Sequence, residues 1–548
     1  MKKITSIISI ILIVAMLSCV LVLVSACTGS TGDGFVEVEG KTNIRVATYN
    51  GGLGKEWLEK VARAFENKYS NTSFEEGKTG VAVSVEFCAG GDMMEDTTLN
   101  LDVYLTEVVD YYRYVNLGKV ANITDVVKGD LKDFGEEGKT IESKLDGSFQ
   151  SFLTGKDGNY YAVPFYEGYM GFIYDRDLFA EKGYFLDSNG NFMGDENRLS
   201  VGADGVKGTY DDGLPETYSQ FVELIKKMDA DNTTPFIFGE DSLQYFQKLL
   251  AGLWADYEGK ENMLKNWDFT GSFNIVTGFN GSTPIVGTHT FNESNLATSV
   301  KELQKQPGKY YALKFLEDTI CAKAEYYGSM PYESAQTALI ASKLGGNYGT
   351  YGMLVDGVWW ENEATLASSF STLAIDDIGY GGSKDDYKYS RRFAFMPFPQ
   401  EDNQAAADKA ASKTHKRTLF SANDSFAFIS SNSAGAKLEV AKLFMQFLHT
   451  DEQMSSFTAT TSIPRALNYT LTDADKEKMT YFGKNVMEIK NASDIVYPYS
   501  GHNYYITNSA TFALEKWGWK SGKYDNPILA MLDGVSAMSY FNGLYSAR

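Results

Sequence analysis

Apolar and polar positions alternate in a repeating order along most of this chain. "NIRVATYN" (43–50) carries the short apolar run of a buried strand, and a glycine loop follows it. In "GGLGKEWLEKVARAFENKYSN", Trp57, Val61, Ala64 and Phe65 recur at helical spacing with charges between them. "VAVSVEF" reads as a second strand, and "LDVYLTEVVDYYRYVNLG" as a strand turning into a helix. An apolar strand through Phe172 and Tyr174 opens a second round. "TYSQFVELIKKMDA", "SLQYFQKLLAGLWADYEG", "KYYALKFLEDTICAK" and "SAQTALIASKLG" follow as amphipathic helices. "YGMLVDGVWW", "FAFMPFP" and "DSFAFISS" are further strands, and "AKLEVAKLFMQFLHTDEQM" begins a mostly helical C-terminal quarter. This β-α rhythm predicts an α/β protein with mostly parallel sheets flanked by helices.

Two segments break the rhythm. Residues 187–218, "DSNGNFMGDENRLSVGADGVKGTYDDGLPETY", form an insertion rich in Gly, Asp and Asn. Closely spaced carboxylates suit a hard cation, which makes Asp204, Asp211 and Asp212 candidate ligands of a structural Ca²⁺. The pattern lacks the Glu that closes an EF-hand loop, and a solvated Asx-rich turn is the alternative. At the N-terminus, Lys2 and Lys3 precede an almost unbroken apolar run over 4–24, then "VSAC" at 24–27. A basic start, an apolar stretch and small residues before a Cys make a secretory signal over 1–26 that ends in a bacterial lipobox, with Cys27 as the lipid-bearing residue. An uncleaved membrane anchor is the competing reading, since 21 residues can span a bilayer. Residues 27–40 are small and polar and read as a tether.

Composition narrows the function. The 548 residues carry a net charge of −21. Removing Lys2 and Lys3 from the 50 basic residues leaves 48 against 71 acidic ones, a net of −23. No basic patch is interleaved with aromatics, so nucleic acid is not an expected partner. The four His show no metal spacing, and after Cys19 and Cys27 only Cys88 and Cys321 remain, either as two thiols or as a pair. No nucleophile elbow, HExxH or Cys/His constellation appears, so an enzyme is not expected. "GGLGK" satisfies neither phosphate-loop pattern, because Glu56 follows Lys55. The 35 Tyr and 34 Phe fit either a large aromatic core or a surface on which polar ligands stack.

Six segments in order resemble one family. They are the strand, glycine loop and helix ending "ARAFENKYSN"; "LGKVANITDVV"; "GNYYAVPFYEGYMGFIYDRDLF"; "PETYSQFVELIKKM"; "MLVDGVWW"; and "AKLEVAKLFMQFLHTDEQ" followed by "SIPRAL". Together they are similar to the extracellular solute-binding proteins of ABC importers, in the maltose-binding-protein-like carbohydrate group. The resemblance implies two α/β lobes of the periplasmic-binding-protein fold with a ligand cleft between them. Lobe one would take 41–165 plus 421–462, and lobe two 166–420 plus 463–548. It implies a monomer that binds an oligosaccharide, needs no cofactor, partners the permease subunits of an importer, and is held at the outer face of the membrane by its lipid. Trp359 falls where the family stacks a tryptophan on a sugar ring. Glu167, Tyr166 and Tyr169 fall in the family's cleft-lining stretch after "VP". Tyr245 starts a helix that often supplies a cleft aromatic, Asn50 and Gly51 end the first strand at the cleft edge, and Asp424 precedes a crossing strand. A peptide or polyamine is the alternative solute, and a secreted glycoside hydrolase a more distant one.

The adjacent Trp359 and Trp360 pose a geometric question. In an extended strand neighbouring side chains point to opposite faces. The two rings are therefore expected on opposite faces, and the resemblance places Trp359 in the cleft, with Glu361 and Glu363 on its side as hydroxyl acceptors, and leaves Trp360 in the core.

Overall fold

The computed structural model describes residues 36–88, 100–107, 110–239, 243–323, 330–345, 348–422, 425–508, 517, 524 and 526–544. Its strands, in chain order, are β1 (Thr42–Tyr49), β2 (Val81–Cys88), β3 (Val103–Glu107), β4 (Val163–Pro164), β5 (Met170–Asp175), β6 (Phe185–Leu186), β7 (Phe192–Met193), β8 (Thr234–Ile237), β9 (Ser272–Asn280), β10 (Thr283–Thr290), β11 (Tyr351–Gly357), β12 (Phe393–Met396), β13 (Thr418–Phe420), β14 (Ser425–Ile429) and β15 (Asp494–Val496).

Two sheets carry the α/β architecture. The first has the order β2-β1-β3-β14-β4 and the second β12-β5-β11-β8. Val, Ile and Phe fill their strands, as expected where helices cover both faces. The sheets are less parallel than the rhythm predicts. β1 runs parallel to β2 and β3, and β11 to β8, but β14 lies antiparallel to β3 and β4, and β5 antiparallel to β11 and β12. The cause is connectivity: β5 and β14 enter their sheets from the other lobe, and so arrive against the local strand direction.

Each lobe has an aromatic centre. In the first, the helix Glu56–Lys68 buries Trp57, Leu58, Val61, Ala62 and Phe65; Ala62, not Ala64, completes the apolar face. Trp57 meets Phe165 at 5.3 Å and Phe457 at 4.9 Å. In the second, Phe172 on β5 meets Phe221, Phe236 and Phe315 at 5.2, 5.7 and 6.1 Å. A hairpin, β9–β10, that hydrophobic periodicity did not mark lies beyond a long helix, Tyr245–Asp268.

Three segments cross between the lobes and are laced together. Residues 165–169 lead from β4 to β5, 421–422 follow β13 on the way to β14, and 462–466 follow the helix Asp451–Thr461. Ala422 N donates to Gly168 O at 2.8 Å, and Glu167 N donates to Pro464 O at 3.1 Å. Tyr166 and Arg465 form an antiparallel bridge, and Arg465 Nε donates to Phe165 O at 2.5 Å. At the centre lies Glu167, wholly buried. Lys490 Nζ donates to its Oε1, Tyr497 OH donates to its Oε2 at 2.5 Å, and Lys490 also donates to Arg465 O at 3.1 Å.

Removing one member of a buried ion pair strands the other charge, at a cost of roughly 3–5 kcal/mol. Lys490→Met and Glu167→Met should each destabilise the protein by about that amount, and the double variant by less than the sum. Chemical denaturation of the three variants checks this; strictly additive losses would show that the two groups do not act as a pair.

Candidate ligand-binding site

The loop after β1 meets the second lobe. Leu53 N donates to Asn50 O at 2.7 Å, which closes a tight turn. Gly52 takes φ +80°, and its backbone lies so near Glu363 that a Cβ there would sit 2.4 Å from Glu363 Cγ. Only glycine tolerates both the left-handed backbone and that approach. Asn362 Nδ2 donates to Gly52 O at 2.5 Å and to Leu53 O at 3.0 Å. The glycines of "GGLGK" thus form a joint with the other lobe, and Glu56 Oε2 accepts from the Lys55 amide at the helix start, at 3.1 Å.

On the second lobe's side, β11 ends at Gly357, earlier than its apolar run predicts, and Trp359 caps the helix Trp360–Leu366. Strand alternation therefore does not apply to the tryptophan pair, yet the two rings separate. Trp360 is fully buried against Phe393, Phe482 and Phe370, at 5.0, 5.5 and 5.9 Å. Trp359 turns toward Tyr245, with ring centroids 5.5 Å apart at 72°, and its Nε1 donates to Tyr245 OH at 3.3 Å. Lys248 Nζ stands 5.2 Å from the Trp359 ring and 5.9 Å from that of Tyr245.

Carboxylates gather beside this aromatic corner. Gln336 Nε2 donates to Asp356 Oδ2 at 3.0 Å and to Glu363 Oε2 at 2.9 Å. Burial, and then the neighbouring Asp356, hold the Glu363 carboxyl well above its ordinary range, and Glu333 and Glu107 push the same way. Burial, Asp356 and Glu363 likewise raise the Tyr245 hydroxyl, and burial, Glu107 and Glu363 raise that of Tyr49. Aromatic faces beside planar acceptors suit a polyhydroxylated solute: its C–H faces stack on the rings and its hydroxyls donate to the oxygens.

The residues expected from the sequence divide between this joint and the crossing segments. Trp359 and Tyr245 come together, and Gly51 lies against Tyr49, where a Cβ would fall 2.2 Å from the ring. Asn50 is exposed at the end of β1. Glu167 does not present an oxygen to the cleft, because Lys490 and Tyr497 take both. Tyr166 and Tyr169 are buried with it, and their link to the site is through the backbone, where Val358 N donates to Tyr169 O at 3.0 Å. Glu361 is also corrected. It turns away from Trp359, and its Oε2 accepts from Ser462 Oγ at 2.7 Å and Thr480 Oγ1 at 2.8 Å, because the helix that begins at Trp360 rotates it from the joint. Cys27, the signal and Asp424 lie outside the described residues.

Asp204, Asp211 and Asp212 each accept within their own turns, while Asp212 Oδ1 is buried without a hydrogen-bond partner. Asp204 Oδ1 accepts from Val206 N at 2.7 Å, and Asp212 Oδ2 from Gly208 N at 2.7 Å. Asp211 accepts from Asp204 N and from Thr209 Oγ1, each at 3.1 Å. Among the described residues no group of three or more His, Cys, Asp or Glu is arranged to hold a metal ion. Arg176 and Arg392 clamp Glu196 of the insertion to the lobe, at 2.6 and 2.8 Å. Cys88 and Cys321 are free thiols, each pushed up to about 12 by burial.

Asp356, Gln336, Lys248 and Asn362 were not singled out from the sequence. Asp356 alone left a signal, as a lone carboxylate inside the apolar strand "MLVDGVWW". Gln336 and Asn362 are polar residues on buried helix faces, which no local pattern marks.

Two α/β lobes, crossed three times by the chain, meet at an aromatic and acidic joint. Residues 51–455 match the family model of the bacterial extracellular solute-binding protein, and the chain belongs to that family. Apo RafE from Streptococcus pneumoniae superposes with a TM-score of 0.51 at 13% identity, covering 93% of this chain and 98% of that one. A probable secreted solute-binding lipoprotein from Streptomyces coelicolor gives 0.51 at 12% identity, covering 93% and 99%. No curated protein sequence matches the chain.

The tryptophan pair should fail in two different ways. Trp360→Ala empties a core position and should cost roughly 3–5 kcal/mol of stability. Trp359 is also buried, at 5% exposure, so Trp359→Ala should lower the melting temperature less than Trp360→Ala does while weakening solute binding by about 2 kcal/mol, near thirtyfold in Kd. Thermal melts and calorimetric titration check both, and the reverse pattern would mean the roles are exchanged.

Proposed function

We propose that this protein captures an oligosaccharide between its lobes and delivers it to the permease of an ABC importer while a lipid on Cys27 holds it at the membrane. The observation that carries the reading is the Trp359–Tyr245 corner beside Asp356 and Glu363, set where the lobes meet. A ring corner offers stacking, and the carboxyl oxygens offer acceptors for hydroxyls. The chemistry needs no covalent step, only closure around a bound molecule. A cationic solute such as a polyamine is the second reading, favoured by the same carboxylates.

A thermal-shift panel of raffinose (the sugar held by RafE), maltotriose, chitotriose, spermidine and a lysine tripeptide separates the two. A solute at 100 times its Kd adds about 2.7 kcal/mol to the folded state. A sugar should raise the melting temperature and reduce the radius of gyration in small-angle scattering; a response to spermidine alone would replace the sugar reading with the cationic one. For the anchor, "VSAC" motivates Cys27→Ser, which should release the protein from membranes or block signal removal. Intact-mass analysis of the mature wild-type protein checks it, and retention of residues 1–26 would overturn the lipid anchor.

A further inference from the structure

The joint between the lobes gathers charge of one sign. Glu363 belongs to the second lobe, yet the atoms that cover it come partly from the first, because the Gly52 backbone lies directly against its side chain. The groups facing it can be named element by element. Asp356 approaches from β11, and Gln336 and Glu333 from the helix Tyr332–Ala341. Glu107, at the end of β3, bears on the Glu363 carboxyl through its charge, and Glu363 in turn on the hydroxyl of Tyr49 in β1. Tyr245 and Lys248 come from the helix Tyr245–Asp268, where the lysine stands over the Trp359 and Tyr245 rings. Glu361, on the same helix as Glu363, is turned to Ser462 and Thr480. Among the described residues, Asp356, Glu333 and Glu107 each set a charge of the same sign against Glu363, and Glu107 belongs to the opposite lobe.

We propose that closing the lobes at this joint takes up a proton on the Glu363 carboxyl, so that the closed state of the free protein is favoured in acid and weakened in alkali. The inference rests on the two-lobed solute-binding reading, but not on which solute is bound.

The physical reason is linkage. Separating the lobes takes Gly52 and Glu107 away from Glu363 and admits water, so the carboxyl returns toward its ordinary range. Bringing them together desolvates it and adds a like charge, both of which favour the protonated form. A carboxyl whose pKa is higher closed than open binds a proton on closure at any pH between the two values. Closure is then fully supported below the open-state value and loses support as pH rises through the closed-state one.

Small-angle scattering of the full-length protein with no added solute tests this at pH 5.5 and 8.5. Wild type should be compact at pH 5.5 and wider at pH 8.5. Glu363→Gln carries a neutral side chain of the same shape, and should remain equally compact at both. Glu107→Gln removes the opposing lobe's charge, should shrink the pH response, and serves as an independent test if Glu363→Gln does not fold. Circular dichroism verifies that each variant is folded. An identical radius of gyration for wild type at both pH values, or an undiminished pH response in Glu363→Gln, overturns the proposal. A panel in which no solute produces compaction would reject the solute-binding reading and leave this pH response untouched, so the two failures are distinguishable.

Discussion

A single buried charge pair, Glu167 with Lys490, holds the place where the chain passes between its lobes. Isolated, either charge would be expelled from such a site, and burial alone pulls the Lys490 ammonium down to about 7. The pair persists because the remaining lone pairs and protons are also satisfied, by Tyr497 and by the Arg465 carbonyl. Arg465 itself lies wholly buried between the rings of Phe165 and Phe457, at 4.6 and 5.3 Å, and burial lowers it to about 9. Each of the three crossing segments is tied to another by backbone hydrogen bonds, so they form one strap rather than three independent tethers.

The strap and the joint share a connection. Tyr169, at the far end of the first crossing, accepts from the Val358 amide in the turn that carries Trp359. Rotation of the lobes about the strap therefore moves the aromatic corner with the second lobe, while the glycine loop moves with the first. Glycine at Gly52 is what allows two backbones and a glutamate to occupy the space between them. A carboxyl in that position is costly when charged, and the same cost makes it sensitive to whether the lobes are together.

The aromatic richness of the chain is largely a matter of core. Tyr166, Tyr169 and Tyr174 of "YEGYMGFIYD" are all buried. The insertion at 187–218 is likewise a structural attachment, pinned by Arg176 and Arg392 and by its own Asx turns.

Sequence alone determined most of the element types, because apolar periodicity and glycine punctuation are local properties written within a few turns of chain, and six ordered segments resembled the family. It also separated Trp359 from Trp360, although by an alternation argument that does not apply once β11 ends at Gly357. Tertiary structure decided where polar side chains point. Glu167 and Glu361 looked like cleft acceptors by their place in a motif, but their partners lie 323 and 101 positions away, and no local pattern announces that Lys490 or Ser462 will arrive there. The same reasoning explains Gln336 and Glu363: each is unremarkable within its own segment, and only the packing of their helices beside β11 gathers them around Asp356. A polar group's role is set by what covers it, and in this protein that cover comes from segments far away along the chain.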